Sequence, residues 1–285
     1  MYMHQCVCVC VCAVSRVVHT MSEGKPVWGV TSLGEEIYLL REGVRDQVEV
    51  YDVISYRLQR RLSVPNARSC IDMTSCEHVV CLYISDDVVR CIHRLDLQGN
   101  AQQWPLNDEP VGLSVNVDHN LIVTCLEVRK IKEFSPRGEL LRDVILPDDV
   151  ITPWHAIQLT SGQFIVCHGD GGDPVNSVCK ISADGRHIVH SHGGQRGSDT
   201  GQYDVPCHLA VDDNEFVFVV DVGNRRVKLL SPTLDYVRQV VSRDQFKWRP
   251  YSLCLDTQRA RLYVAVNDRD ASRLTVGHVV VLSLL

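Results

Sequence analysis

HGGQRGSDTGQYDVPCHLAVDDNEFVFVVDVGNRRVKLLSP, residues 192–232, decides the fold. It reads as a glycine-rich turn, an inner strand after Pro206, a tight turn, a second strand, a short loop, a third strand and a closing turn. The same plan recurs along the chain in more degraded form. Aligned on the residue before each innermost strand, Pro26, Ala67, Pro110, Pro153, Pro206 and Pro250 fall in register, 41 to 53 residues apart. Repetition at that period predicts a closed ring of small sheets.

Each marker precedes a short apolar run (WGVTSL, SCIDMT, GLSVNV, HAIQLT, HLAVDD, SLCLDT) and then a second run rich in β-branched and aromatic residues (EIYLL, VVCLYI, LIVTCL, QFIVCH, FVFVVD, RLYVAV). Runs of four to eight such residues bounded by Gly, Pro, Asn or Asp are strand signals. Third strands end in turn signatures such as residues 94–99 and 133–138, and Leu140–Ile145 and Tyr236–Val241 fit a fourth, outermost strand. No segment carries a helical period of adequate length. The expectation is an all-β, six-bladed β-propeller of four-stranded antiparallel blades. It covers residues 13–285, with blades starting near 26, 67, 110, 153, 206 and 250, after a low-complexity Cys/Val segment at 1–12. Residues 279–285 resemble a third strand, which leaves the last blade one strand short. Residues 13–20 (AVSRVVHT) are expected to supply it, because an open seam would expose an unpaired edge.

Residues 192–232 resemble the NHL repeat. The elements that carry the likeness are Gly201, Gln202, Tyr203, Pro206, Leu209–Asp212, Val219–Asp221, Asn224, Arg226 and Val227. The chain is similar to the C-terminal propeller of tripartite-motif (TRIM) proteins. The other five units keep the strand pattern and lose most of the signature. The resemblance implies an interaction platform for protein partners and, in some members, RNA. It also implies a ubiquitin-ligase context, which this chain alone does not support: a RING needs paired Cys-x-x-Cys spacings, and no such pair occurs here.

The composition is that of an ordinary globular protein, 45% hydrophobic and 22% charged, with a formal net charge of -6. The net charge does not favour nucleic acid as a partner. Cys81, Cys125, Cys167 and Cys254 sit in apolar strand runs and read as core filling in a reducing, cytoplasmic compartment. Cys6, Cys8, Cys10 and Cys12 share one face of any strand they form, and ligands along one straight strand do not converge on an ion. No charged leader precedes that segment, and no apolar run reaches the roughly 20 residues that a membrane-spanning helix needs.

His155 and His208 occupy the same register two residues after their marker prolines. They are the weak candidates for a metal site. A catalytic zinc site usually has three protein ligands, and the equivalent positions elsewhere are read as Trp28, Ser69, Gly112 and Ser252, so hydrogen-bonded channel histidines are the plainer reading. Asp170 and Asp173, in the long loop 168–176, suit a turn as well as a Ca²⁺ site. Asp221, Asn224 and Arg226 are read as structural. Trp28, Trp154, Trp248 and Tyr251, with Arg68 and Arg249, form a candidate rim of binding anchors, since Trp, Tyr and Arg dominate interface hot spots. No nucleophile elbow, phosphate-binding glycine loop or HExxH motif is present.

The leading expectation is therefore a non-catalytic, monomeric recognition scaffold. It would bind a protein or peptide through Trp28, Arg68, Trp154, His155, His208, Arg249 and Tyr251, with no cofactor and no membrane. Two alternatives stand beside it. One is a metal-dependent propeller enzyme of lactonase or lyase type, motivated by His155 and His208. The other is an RNA-binding propeller that uses a basic patch of Arg225, Arg226 and Lys228.

Overall fold

Alternating β-branched and aromatic runs give strands throughout. The computed structural model describes residues 16–21, 24–43, 47–270 and 273–284, and among them there is no helix. The Cys6–Cys12 run and residues 13–15 lie outside the described residues. Twenty-four strands form six four-stranded antiparallel sheets. Blade 1 is β2 (Val27–Leu33), β3 (Glu36–Arg41), β4 (Gln47–Asp52) and β5 (Leu58–Ser63). Blade 2 is β6 (Cys70–Cys76), β7 (Cys81–Asp86), β8 (Cys91–Asp96) and β9 (Ala101–Pro105). Blade 3 is β10 (Pro110–Val115), β11 (Leu121–Cys125), β12 (Lys130–Phe134) and β13 (Leu140–Ile145). Blade 4 is β14 (Pro153–Gln158), β15 (Phe164–His168), β16 (Val175–Ile181) and β17 (Ile188–Gln195). Blade 5 is β18 (Pro206–Val211), β19 (Val217–Asp221), β20 (Arg226–Leu230) and β21 (Tyr236–Val241).

Blade 6 closes the ring. Its order is β1–β24–β23–β22, with β22 (Arg249–Asp256), β23 (Arg261–Asp270) and β24 (Arg273–Ser283) followed in space by β1 (Arg16–Thr20). Arg16 pairs with Ser283 and Thr20 with Val280, so the chain's early residues supply the outermost strand that the last unit lacks. The six-bladed, all-β expectation holds, including this closure.

A blade buries its two faces only against its neighbours. Accordingly the core is six apolar clusters, one at each blade junction. Tyr83, Cys81 and Cys125 fill the cluster between blades 2 and 3, and Cys167 and Tyr203 fill the one between blades 4 and 5. The expected glycine turn at residue 192 begins later than the sequence suggests. Strand β17 runs on to Gln195, with Gly193 and Gly194 at φ of 116° and 139°, a region open to glycine.

The loops that lead into the inner strands are held by side chains at the outer ends of the second strands. Asp221 is fully buried; it accepts from the Asp204 amide at 2.8 Å, the Asn224 amide at 2.9 Å and Arg226 Nε at 2.8 Å. Arg226 then donates to the carbonyls of Ser198, Asp199 and Gln202, stapling the connection between blades 4 and 5. Asp86 does the equivalent work in blade 2, accepting from the Arg68 amide at 2.6 Å.

Two predictions follow from this architecture. Deleting residues 1–20 leaves the edge of β24 unpaired; the melting temperature is expected to fall by roughly 5 °C or more, with concentration-dependent self-association visible by light scattering. Burial also lowers the imidazoles of His168 and His278 from 6.5 to about 4. Between those values the unfolded chain binds more protons than the folded one. Stability is therefore full above 6.5 and declines as pH falls towards 4. Urea unfolding at pH 7 and pH 4.5 checks this, and a His168→Gln, His278→Gln double variant should show a shallower decline.

Candidate active site at the channel mouth

Every inner strand carries a register slip just after its start. The slips fall between Val27 and Gly29, Cys70 and Asp72, Pro110 and Leu113, Pro153 and His155, Pro206 and His208, and Pro250 and Ser252. A bulge kinks its strand and re-aims the neighbouring side chain. The matched positions are Gly29, Asp72, Gly112, His155, His208 and Ser252, and all six are buried. The inner strands of neighbouring blades contact one another around the whole ring, β22 against β2 included.

This alignment revises the sequence reading. Blade 2 has no proline at its start, and Ala67 lies three residues ahead of Cys70, the true counterpart of Pro153 and Pro206. The residue that shares the histidines' register is therefore Asp72, not Ser69, and in blade 1 it is Gly29, not Trp28. The third candidate ligand that seemed absent is a carboxylate.

Asp72 meets both histidines. Its Oδ1 lies 3.3 Å from His208 Nε2 and its Oδ2 3.8 Å from His155 Nε2. Each of the three side chains offers a ligand atom within 4.8 Å of the other two. The imidazole centroids are 4.1 Å apart. Asp72 Oδ1 also accepts from the Met73 amide at 2.8 Å and Oδ2 from the Leu113 amide at 2.8 Å. Ser85 Oγ accepts from the Asp72 amide at 3.1 Å and donates to the Val111 carbonyl at 2.8 Å. His155 Nε2 donates to the Leu113 carbonyl at 3.0 Å. Burial, reinforced by the neighbouring His208, lowers the His155 pKa from 6.5 to about 3. Its ring is thus neutral at physiological pH, with its proton on Nε2 and a lone pair on Nδ1. The Nδ1 atoms of both His155 and His208 are buried without a hydrogen-bond partner.

These three residues line a cavity of about 460 Å³. Its wall takes in Trp28, Trp154, Arg249 and Tyr251 from the inner strands and Gly171, Arg196 and Asp204 from the loops. Of the expected anchors, Trp28, Trp154, His155, His208, Arg249 and Tyr251 come together here; Arg68 is not among the lining residues. Trp248 instead packs on His278, ring centroids 4.2 Å apart, at the junction of blades 5 and 6. The long loop 168–176 supplies Gly171 to the wall, while its Asp170 carboxylate accepts from the Gly172 and Asp173 amides, as a turn does. The residues of the expected basic patch do not form one. Lys228 is 1% exposed and donates to the carbonyls of Thr200 and Gln202, and Arg226 is buried in its staple. Burial lowers Lys228 to about 8.

Thr152 and Val205, the residues before Pro153 and Pro206, have φ of 47° and 64°. For β-branched residues this is a strained region. It occurs immediately ahead of the two strands that carry the histidines.

No family model matches this sequence, and neither does any curated protein. Solved structures do match in fold. Virginiamycin B lyase from Staphylococcus aureus is similar at a TM-score of 0.59 and 10% identity, over 88% of this chain and 81% of that one. A catalytically inactive form of that lyase with quinupristin gives 0.62 and 9%, over 93% and 98%. Kuenenia stuttgartiensis hydrazine synthase gives 0.63 and 15%, over 91% and 97%. At these identities the likeness is one of fold. The expectation of a non-catalytic scaffold nevertheless gives way. Solved propellers of this shape include lyases, which are enzymes, and with Asp72 beside the two histidines three groups that could hold a metal ion meet, where two were expected. Among the described residues no helix is long and apolar enough to cross a membrane.

Gly112 fixes the spacing of blades 3 and 4 at this level. A Cβ there would meet the Trp154 carbonyl oxygen and lie 2.8 Å from His155 Cα, both on β14. Gly112→Ala should therefore destabilise by about 1–3 kcal/mol, measured by urea unfolding, and displace His155, visible as a shifted imidazole resonance.

Proposed function

We propose that this chain is a small-molecule enzyme of lyase or lactonase type. Its chemistry would take place where Asp72, His155 and His208 converge, with a divalent cation as cofactor. The observation that carries this reading is that convergence: three ligand-type side chains from blades 2, 4 and 5 meet, buried, in the wall of a cavity of small-molecule size.

The donor set fits a cation. Two imidazoles and one carboxylate make an N₂O set of the kind that catalytic zinc and related divalent ions take, leaving a position for substrate or water. A carboxylate has about four lone-pair sites. Asp72 uses three on Met73, Leu113 and His208, which leaves one on Oδ2. The unpartnered Nδ1 atoms of His155 and His208 are the orphaned buried acceptors that a ligand would satisfy. When bound, the cation would polarise a substrate carbonyl and make an attacking or departing oxygen easier to ionise.

The protein's own residues have separate tasks. Asp72 orients the His208 ring and balances charge. The Leu113 carbonyl fixes the His155 tautomer, as outer-shell partners of ligating histidines do. Burial keeps His155 neutral, the state that ligates or accepts a proton. Trp28, Trp154 and Tyr251 offer an apolar wall to hold a substrate against the cluster and exclude water. The NHL-like signature in blade 5 is read as scaffold, and the staple made by Asp221 and Arg226 supports that role. A cytoplasmic setting belongs to the same reading, supported by the core positions of Cys81, Cys125 and Cys167.

Calorimetric titration of EDTA-stripped protein with Zn²⁺, Mn²⁺ and Mg²⁺ tests the proposal. One equivalent of at least one ion should bind, with affinity reduced at least about tenfold in Asp72→Asn and His208→Ala, as loss of a ligand predicts. Turnover of a panel of lactones and cyclic esters should be lost on stripping and return with the ion. Wild-type protein that takes up none of the three ions would refute the assignment.

A further inference from the structure

We propose, resting on the function just given, that the cavity takes an organic anion: a molecule with a flat apolar body and one carboxylate, its acid paired with Arg249. The argument starts from the charged side chains of the wall, which are Asp72, Arg196, Asp204 and Arg249. Three of them are committed. Asp72 is held by two backbone amides and His208. Arg196 Nε donates to Asp204 Oδ1 at 2.7 Å, and its NH1 donates to the Gly171 carbonyl, so that pair clamps two loops together. The Arg249 side chain has no hydrogen bond or ion pair among the described residues, although the residue is only partly exposed. Other arginines lining junctions in this molecule, Arg41, Arg142, Arg226 and Arg259 among them, face carboxylates.

A guanidinium in a cavity wall with no protein anion is open to an anionic ligand, and its planar fork matches the two oxygens of a carboxylate. An unpaired guanidinium in a cavity wall calls for an acceptor-rich ligand. The same wall carries an aromatic surface, with Trp28, Trp154 and Tyr251 among its lining residues. Trp28 and Tyr251 meet edge to face, ring centroids 5.5 Å apart and planes at 81°. Tyr251 lies two residues from Arg249 on β22, and both line the cavity. The cluster adds to the preference: a divalent cation beside Asp72 leaves net positive charge in the cavity, on a chain whose overall charge is -6.

The test uses two probes of one shape, 2-naphthoate and neutral 2-naphthalenemethanol, titrated calorimetrically into EDTA-stripped full-length protein. Naphthoate is expected to bind about tenfold or more tightly than the alcohol. Arg249→Gln should remove that difference, Arg249→Lys should keep part of it, and Trp28→Ala should weaken both probes alike. Equal affinities in the wild type, a preference unmoved by Arg249→Gln, or no naphthoate binding at millimolar concentration would each overturn the inference. Because the protein is stripped, the result does not depend on the ion. Ion uptake without a naphthoate preference sinks this inference alone, whereas a naphthoate preference without ion uptake sinks the functional assignment.

Discussion

Four blades meet at the Asp72 carboxylate. It belongs to blade 2, accepts the Leu113 amide of blade 3, lies against His155 of blade 4 and reaches His208 of blade 5. In a ring of six, blades 2 and 5 face each other across the axis, so the contact of Asp72 with His208 spans the channel. A buried carboxylate is unfavourable unless hydrogen bonds and nearby donors compensate it. Here the compensation comes from different blades, which makes the geometry of the channel mouth a property of the whole ring. The position of one side chain thus depends on the register of four inner strands and on the strand β1 that closes the seam.

That register is set by the bulges, and this explains what the sequence revealed and what it hid. Strand order, the outer strands Leu140–Ile145 and Tyr236–Val241, and the completion of the last blade by residues before Thr20 were all legible, because each leaves a local pattern of apolar alternation between turn residues. Asp72 was hidden for a specific reason. Proline marks the start of the inner strand in blades 3, 4 and 5 and falls inside β22 in blade 6, but blade 2 begins with Cys70, and the residue chosen in its place lay three positions early. A three-residue slip moves a side chain to a different strand position and a different face. No local pattern corrects it, since what brings Asp72 to His208 is a contact across 136 residues of sequence. The same limit applies to Arg226 and Lys228. Their spacing looks like a basic surface, yet both turn inward to the carbonyls of residues 198–202.

Two strained residues stand beside the cluster. Thr152 and Val205 adopt positive φ, a conformation that costs roughly 1–3 kcal/mol for such residues. It persists because the surroundings overdetermine it. The Val205 amide donates to Asn176 Oδ1 at 2.7 Å and its carbonyl accepts from Val222. The Thr152 carbonyl accepts from the Gly169 amide. Each strained residue is followed by proline, whose fixed φ passes the turn on to the strand that presents a histidine two residues later. Both histidine strands enter in this way, and the shared device places His155 and His208 with their centroids 4.1 Å apart.

The site therefore divides by origin. Its floor comes from one repeated strand position, where the ring's symmetry brings six residues to the axis and only Asp72, His155 and His208 carry ligand chemistry; Gly29, Gly112 and Ser252 are small enough to let the blades approach. Its rim comes from positions that differ between repeats: Trp28, Trp154, Arg249 and Tyr251 near the strand starts, and the loop pair Arg196 and Asp204. A floor fixed by global closure is hard to alter without loosening the ring, whereas the rim varies from repeat to repeat, with Trp28, Trp154 and Tyr251 each packing one side against a junction cluster. Chemistry assigned to the floor and ligand choice assigned to the rim is the division expected when function is carried by a site grafted onto a repeated scaffold.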